Sequence, residues 1–182
     1  MPTSDRENKQ IVVDWYRQIM PKSVLDIGAG EGTYATLIKS HIPTENSYWT
    51  AIEAWAPYAN DYGLSDLYNN VVIGDACYVD YRKVNNGHSD LVIAGDVLEH
   101  MTKTESKELI HELKMRHAQN IIISIPLLHL DQAPYKGNWF ERHIDHWHFE
   151  EMKAELGPLL VEAIEGPTLG YFWWSSQNRG QK

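Results

Sequence analysis

The chain has 182 residues, which fits one hydrophobic core and leaves little room for two. Its net charge of -9 opposes a phosphate backbone, so nucleic acid is a disfavoured partner. The single cysteine, Cys77, excludes an internal disulfide and is read as a small buried apolar residue. The start, Met1 to Glu7, is polar with no apolar leader, and no stretch approaches the ~20 apolar residues that span a bilayer. The expectation is a cytoplasmic protein without membrane contact.

In chain order, Ile11, Val12, Trp15, Ile19 and Met20 recur at helical spacing and predict an amphipathic helix ending before Pro21. This N-terminal segment, 1–20, caps one end of the domain. Ser23–Ile27 is an apolar run closed by Gly28-Ala29-Gly30-Glu31-Gly32, after which Tyr34, Ala35, Leu37 and Ile38 return to helical spacing. That reads strand, glycine loop, helix. Strand-like runs follow at 48–53, 71–74, 91–95 and 121–125, with a helix over 103–117. Such alternation predicts an α/β domain with a doubly wound, mostly parallel sheet. The last third holds a helix over 149–156 and two runs, 159–164 and 169–175, joined by Glu165-Gly166-Pro167-Thr168 as an antiparallel hairpin. Trp173 and Trp174 in the last run should point to opposite faces, one inward and one outward, the outward one a candidate for a homodimer contact or an acceptor site. No repeat or linker divides the chain, so 1–182 is read as one domain, with a frayed tail from Gln177.

In an open α/β sheet, ligands bind beyond the carboxyl ends of the strands where strand order reverses. Asp26, Gly28, Ala29 and Gly30 have this placement, and the glycines allow a tight turn and a close approach to a ligand. A dinucleotide fingerprint would need glycine where Thr33 stands; here the third glycine, Gly32, comes one residue early. Asp26 and Glu31 add negative charge, which suits the ammonium and sulfonium of S-adenosylmethionine (SAM) better than a pyrophosphate. Glu53, followed by Ala54, ends the second strand, where a carboxylate can accept from both ribose hydroxyls. Asp75 with Ala76 ends the third, placed to accept from an exocyclic adenine amine. Asp96-Val97-Leu98-Glu99-His100 ends the fourth and sets acidic and imidazole groups near the reactive end of the ligand.

Taken together, Val24-Leu25-Asp26-Ile27-Gly28-Ala29-Gly30-Glu31-Gly32, Glu53, Asp75-Ala76 and Asp90-Leu91-Val92-Ile93-Ala94-Gly95-Asp96 resemble the successive motifs of class I SAM-dependent methyltransferases over nearly the whole chain. The resemblance implies a three-layer fold with a seven-stranded sheet whose last strand inserts antiparallel. It also implies Asp26 and the glycine loop at the methionine part, Glu53 at the ribose, Asp75 and Ala76 at the adenine, and Asp96 and Val97 near the methyl group. The segment Gly137-Asn138-Trp139-Phe140-Glu141-Arg142-His143-Ile144-Asp145-His146-Trp147-His148 resembles a stretch of small methyltransferases whose fifth strand ends Ser-x-Pro, here Ser124-Ile125-Pro126.

Methyl transfer needs alignment of acceptor and sulfonium and exclusion of water rather than a protein nucleophile. A hydroxyl or amine acceptor needs a general base, for which His100 and then His143 are candidates. Segment 127–148 is the expected acceptor site, with Glu99, Trp139, His143 and Trp147 lining it and Glu141 and Arg142 binding polar groups; the alternative is an aromatic cover packed over the sheet. His143, Asp145, His146 and His148 lack a cysteine partner and match no zinc spacing, so no metal is assigned. The expected function is methylation of a small molecule. Alternatives are a protein or RNA methyltransferase, a non-catalytic SAM-binding partner subunit, and a nicotinamide enzyme, which Thr33 opposes.

Overall fold

The computed structural model describes residues 8–129 and 131–178; the polar start at 1–7 and the end of the tail at 179–182 lie outside them. Seven strands, β1 Ser23–Ile27, β2 Tyr48–Glu53, β3 Asn70–Ile73, β4 Ser89–Gly95, β5 Ala118–Pro126, β6 Leu160–Glu165 and β7 Leu169–Ser175, form one sheet ordered β3-β2-β1-β4-β5-β7-β6. Neighbours from β3 through β5 run parallel, and β7 is antiparallel to both β5 and β6. The doubly wound sheet and C-terminal hairpin are as expected.

The central strands carry continuous apolar runs, such as Leu91-Val92-Ile93-Ala94 and Ile121-Ile122-Ile123, because both faces are covered. On β4, Val92 and Ala94 enter a core shared with Leu109 and Ile110 of α5 (Lys103–Glu112) and Met152 and Leu156 of α6 (Phe149–Leu156). The alternate residues Leu91 and Ile93 enter a second core with Val12, Val13 and Trp15 of α1 (Gln10–Ile19) and Tyr34, Ala35 and Ile38 of α2 (Thr33–His41). Period-two alternation thus makes three layers.

Local chemistry sets the boundaries. α1 stops where Met20 turns left-handed at φ 46° and Pro21 cannot continue the helix. Met20 is consequently 61% exposed and does not belong to the apolar face expected from spacing. α5 begins with a reciprocal capping box between Thr102 and Glu105 and ends in a π-helical turn, Leu113–His117. Between β2 and β3 lie two short helices, α3 Ala56–Asp61 and α4 Leu64–Leu67, too brief to show periodicity in the sequence.

Two expectations are corrected. The two tryptophans of β7 do point to opposite faces, but neither is the outward ring expected: Trp174 is buried in the α5/α6 core, and Trp173, partly buried, packs against the other core with its ring 6.0 Å from that of Trp15. Each face of the sheet carries helices, which cover both rings. Cys77 is half-buried rather than buried, since it sits in the loop after β3 beside a cavity. Among the described residues no helix is long and apolar enough to cross a membrane.

Candidate active site

Strand order reverses around β1, with β2 on one side and β4 on the other. There, beyond the strand ends, lies a cavity of about 410 Å³. The loop after β1 folds over its floor, Gly28 and Ala29 donating backbone N–H groups to the Ile52 carbonyl at 2.9 and 3.2 Å. Gly28 has φ +68°, and a Cβ there would stand 2.5 Å from Val97 Cγ2. Glycine is therefore required both by conformation and by the approach of the β4 end.

Glu53, buried at the end of β2, accepts from Gly30 N at 2.9 Å through Oε2 and from Trp55 N at 2.8 Å through Oε1. It ties the glycine loop to β2 while each oxygen retains a further lone pair. Burial pushes its carboxyl above the ordinary range. Asp26 is more deeply placed and accepts from the Tyr68 hydroxyl at 2.5 Å. Burial is the main cause that raises its pKa to about 7, with the Tyr68 hydrogen bond opposing and the charge of Glu53 adding to it. Asp75 accepts from Cys77 N at 2.9 Å. The Cys77 thiol is pushed up to about 12, first by burial and then by the charge of Asp75.

At the end of β4, Asp96 adopts φ +52°, a conformation that a carboxylate side chain tolerates better than most. It belongs to a ring of four side chains. Lys9 Nζ reaches Asp96 Oδ2 at 2.9 Å and the Tyr34 hydroxyl at 3.0 Å. Tyr34 and Ser124 oxygens are 2.7 Å apart, and Ser124 donates to Asp96 Oδ1 at 2.5 Å. Lysine only donates, so Tyr34 accepts from Lys9 and passes its own proton toward Ser124. Lys9 and Ser124 were not among the expected site residues: a lysine just before a helix reads as solvated, yet Lys9 is 4% exposed.

The segment after β5 forms the outer wall. Ile144 N and Asp145 N donate to the Glu99 carbonyl at 2.8 and 3.3 Å, bringing His143 beside Glu99 and His100. The His100 and His143 rings meet edge-on with centroids 5.0 Å apart. His100 Nδ1 lies 3.2 Å from the Arg142 carbonyl; that oxygen only accepts, so Nδ1 carries the proton and Nε2 holds the lone pair. Burial lowers the pKa of His100 to about 4. Burial, then the charge of Asp96, holds Glu99 well above the carboxylate range.

Asp26, Gly28, Ala29, Gly30, Glu53, Ala54, Asp75, Ala76, Asp96, Val97, Glu99, His100 and His143 all border this one cavity. Three expected acceptor-site residues do not. Trp139 is 68% exposed and absent from the lining, because its short 3₁₀ turn, Trp139–Glu141, presents Phe140 and Glu141 inward instead. Trp147 is fully buried in the α5/α6 core, its ring capped by the Lys103 and Lys107 ammonium groups at 5.5 and 5.9 Å. Arg142 is likewise outside the lining. Tyr58, Met101, Ile144 and Leu169, carrying no motif, complete the wall. Tyr58 donates to Glu141 at 2.9 Å and so joins α3 to the outer segment.

No family model matches the sequence, and no curated protein is similar to it. Solved structures do match in fold. The N-terminal domain of EvdMO1, crystallised with SAH and D-fucose, superposes with a TM-score of 0.65 at 15% identity, over 94% of this chain and 84% of that one. Magnesium protoporphyrin IX methyltransferase (ChlM) from Synechocystis PCC 6803 with bound SAM gives 0.64 at 13% identity, over 93% and 78%. The small RNA methyltransferase HEN1 gives 0.71 at 13% identity, over 96% of this chain but 25% of that one. The chain has the Rossmann-like fold of class I SAM-dependent methyltransferases.

Proposed function

We propose that the chain binds SAM in this cavity and methylates a small-molecule acceptor. The charge of the lining carries this reading. Eight carboxyl residues border the cavity, Asp26, Glu31, Glu53, Asp75, Asp96, Glu99, Glu105 and Glu141, and among the described residues no lysine or arginine does. Burial raises the pKa of Asp26, Glu53, Glu99 and Glu141, and Lys9 pairs with Asp96, so the wall carries fewer than eight charges. Its carboxyls still disfavour a pyrophosphate or a nucleic-acid backbone and suit a cofactor whose ammonium and sulfonium groups favour their ionised forms. The donor set fits SAM: the glycine loop leaves room that a Cβ at Gly28 would fill, and Glu53 has lone pairs to spare for ribose hydroxyls.

When bound, SAM supplies an electrophilic methyl group on a positively charged sulfur. Asp26 and the glycine loop would hold the methionine part, Glu53 the ribose, and Asp75 with Ala76 the adenine. Asp96 and Val97 would border the methyl group. His143, Phe140, Glu141 and Ile144 would enclose the acceptor and exclude water. His100 stays neutral at physiological pH and holds its Nε2 lone pair in the acceptor half of the cavity.

Calorimetric titration should give saturable binding of SAM and S-adenosylhomocysteine (SAH) and none of NAD, and labelled SAM should mark the small-metabolite fraction of an extract. Label confined to polymers, or absence of SAM and SAH binding, would overturn the proposal.

Asp26 provides a separate expectation. Its folded pKa, about 7, lies above its ordinary value, so the stability it contributes is present at low pH and is lost as pH rises toward 7. A cationic ligand favours the carboxylate. SAM binding at pH 6.5 should therefore release a proton, seen as a binding enthalpy that depends on the buffer's ionisation enthalpy. The Asp26→Asn variant should lose that dependence; if it persists unchanged, another group is the proton source.

A further inference from the structure

The outer half of the cavity contains Glu99, His100 and His143, each with a ligand-capable atom within 4.8 Å of those of the other two. Backbone hydrogen bonds build this meeting. The turn after β4 carries Glu99 and His100, and the segment after β5 is fastened to the Glu99 carbonyl by the two residues that follow His143. Glu99 is 4% exposed, and its Oε2, fully enclosed, has no hydrogen-bond partner among the described residues. Buried polar oxygens in folded proteins are almost always satisfied, and an orphan calls for a missing partner. The His100 ring adds a second sign: its Nδ1–H is committed to the Arg142 carbonyl, which orients the ring and leaves Nε2 as a ligating lone pair. A ligating histidine characteristically makes such a bond through its other nitrogen.

We propose that Glu99, His100 and His143 form a binding site for a divalent first-row transition-metal cation, with the remaining coordination positions open to the cavity. Two imidazoles and one carboxylate suit Zn²⁺ or Co²⁺, whereas Mg²⁺ and Ca²⁺ favour sets made wholly of oxygen. Among the described residues no lysine or arginine borders the cavity to supply the positive charge instead. The site's role rests on the function proposed above: the cation would present an acceptor's oxygen or nitrogen to the methyl group. Its existence does not rest on that function. In the second histidine group His146 meets His129 and His148 edge-on, with centroids 5.3 and 5.0 Å apart. The only convergent metal-ligating group among the described residues is the first, so the second group serves as a control.

The test is titration of the full chain, stripped of metal, with Co²⁺ followed by visible absorption and with Zn²⁺ followed by calorimetry. One equivalent should saturate. Glu99→Gln and His143→Ala should each weaken binding at least tenfold, and the His146→Ala/His148→Ala double variant should bind as wild type. SAH titration of every variant checks that the cofactor chamber is intact. The inference is overturned by the absence of a saturable equivalent, by unchanged affinity in Glu99→Gln and His143→Ala, or by loss confined to the His146/His148 variant. Failure of SAH to bind the wild type would sink the methyltransferase reading and leave the cation result to be judged independently.

Discussion

Replacing Glu53 with alanine is expected to weaken SAM binding about 100-fold. The side chain would accept from two ribose hydroxyls, and hydrogen bonds to a charged group contribute about 1.5–3 kcal/mol each, so losing both costs at least about 3 kcal/mol. The same carboxylate holds Gly30 N and Trp55 N, and its removal also loosens the glycine loop. The global fold should survive, because the lost bonds are offset by relief from burying a carboxylate. Adenosine, which carries the ribose but no methionine, should lose affinity by a similar factor. Asp26→Asn should instead weaken SAM and spare adenosine. A loss smaller than about threefold for both ligands in Glu53→Ala would remove the carboxylate from ribose recognition.

The way residues were legible in the sequence follows from which interactions are local. The glycine loop, Glu53, Asp75 and Asp96 stand at the ends of apolar runs, and the rule that ligands gather at strand ends places them together without knowledge of side-chain packing. β4 and β5 were recognisable because burial on both faces makes their middles, residues 91–94 and 121–123, continuously apolar, while Ser89-Asp90 and Gln119-Asn120 at their starts carry no such signal. Aromatic content alone could not separate the roles of Trp139, Phe140 and Trp147. Which ring enters the cavity depends on one 3₁₀ turn and on the packing of α5 and α6, both set by tertiary contacts. The meeting of Glu99 and His100 with His143, 43 residues beyond His100, depends on the hydrogen bonds to the Glu99 carbonyl, which no spacing rule encodes. The interior placement of Lys9 was equally illegible, since its partners Tyr34 and Asp96, and Ser124 that bridges them, lie in α2, just after β4 and in β5.

That lysine leads to the second large expectation. Lys9→Met keeps an unbranched apolar stem but withdraws the ammonium from a pair whose side chains are only 5% and 13% exposed. Removing one partner of a fully buried ion pair costs about 3–5 kcal/mol, and the lower end applies here because Asp96 borders the cavity and keeps the hydrogen bond from Ser124. Chemical denaturation should show a loss of about 3 kcal/mol. The change should also reach the cofactor site. Asp96 is held at φ +52° by Lys9 and Ser124, and its neighbour Val97 packs against Gly28 at the distance where a Cβ would collide. Releasing Asp96 frees Val97 to shift and the loop after β1 to move with it, so SAM affinity should fall although Lys9 does not border the cavity. The Lys9→Met/Asp96→Asn double variant removes both charges and should lose less stability than the single losses added together, as interacting sites do. Strict additivity would mean that the two charges do not act as a pair, and an unchanged SAM affinity in Lys9→Met would separate this ring from the cofactor loop.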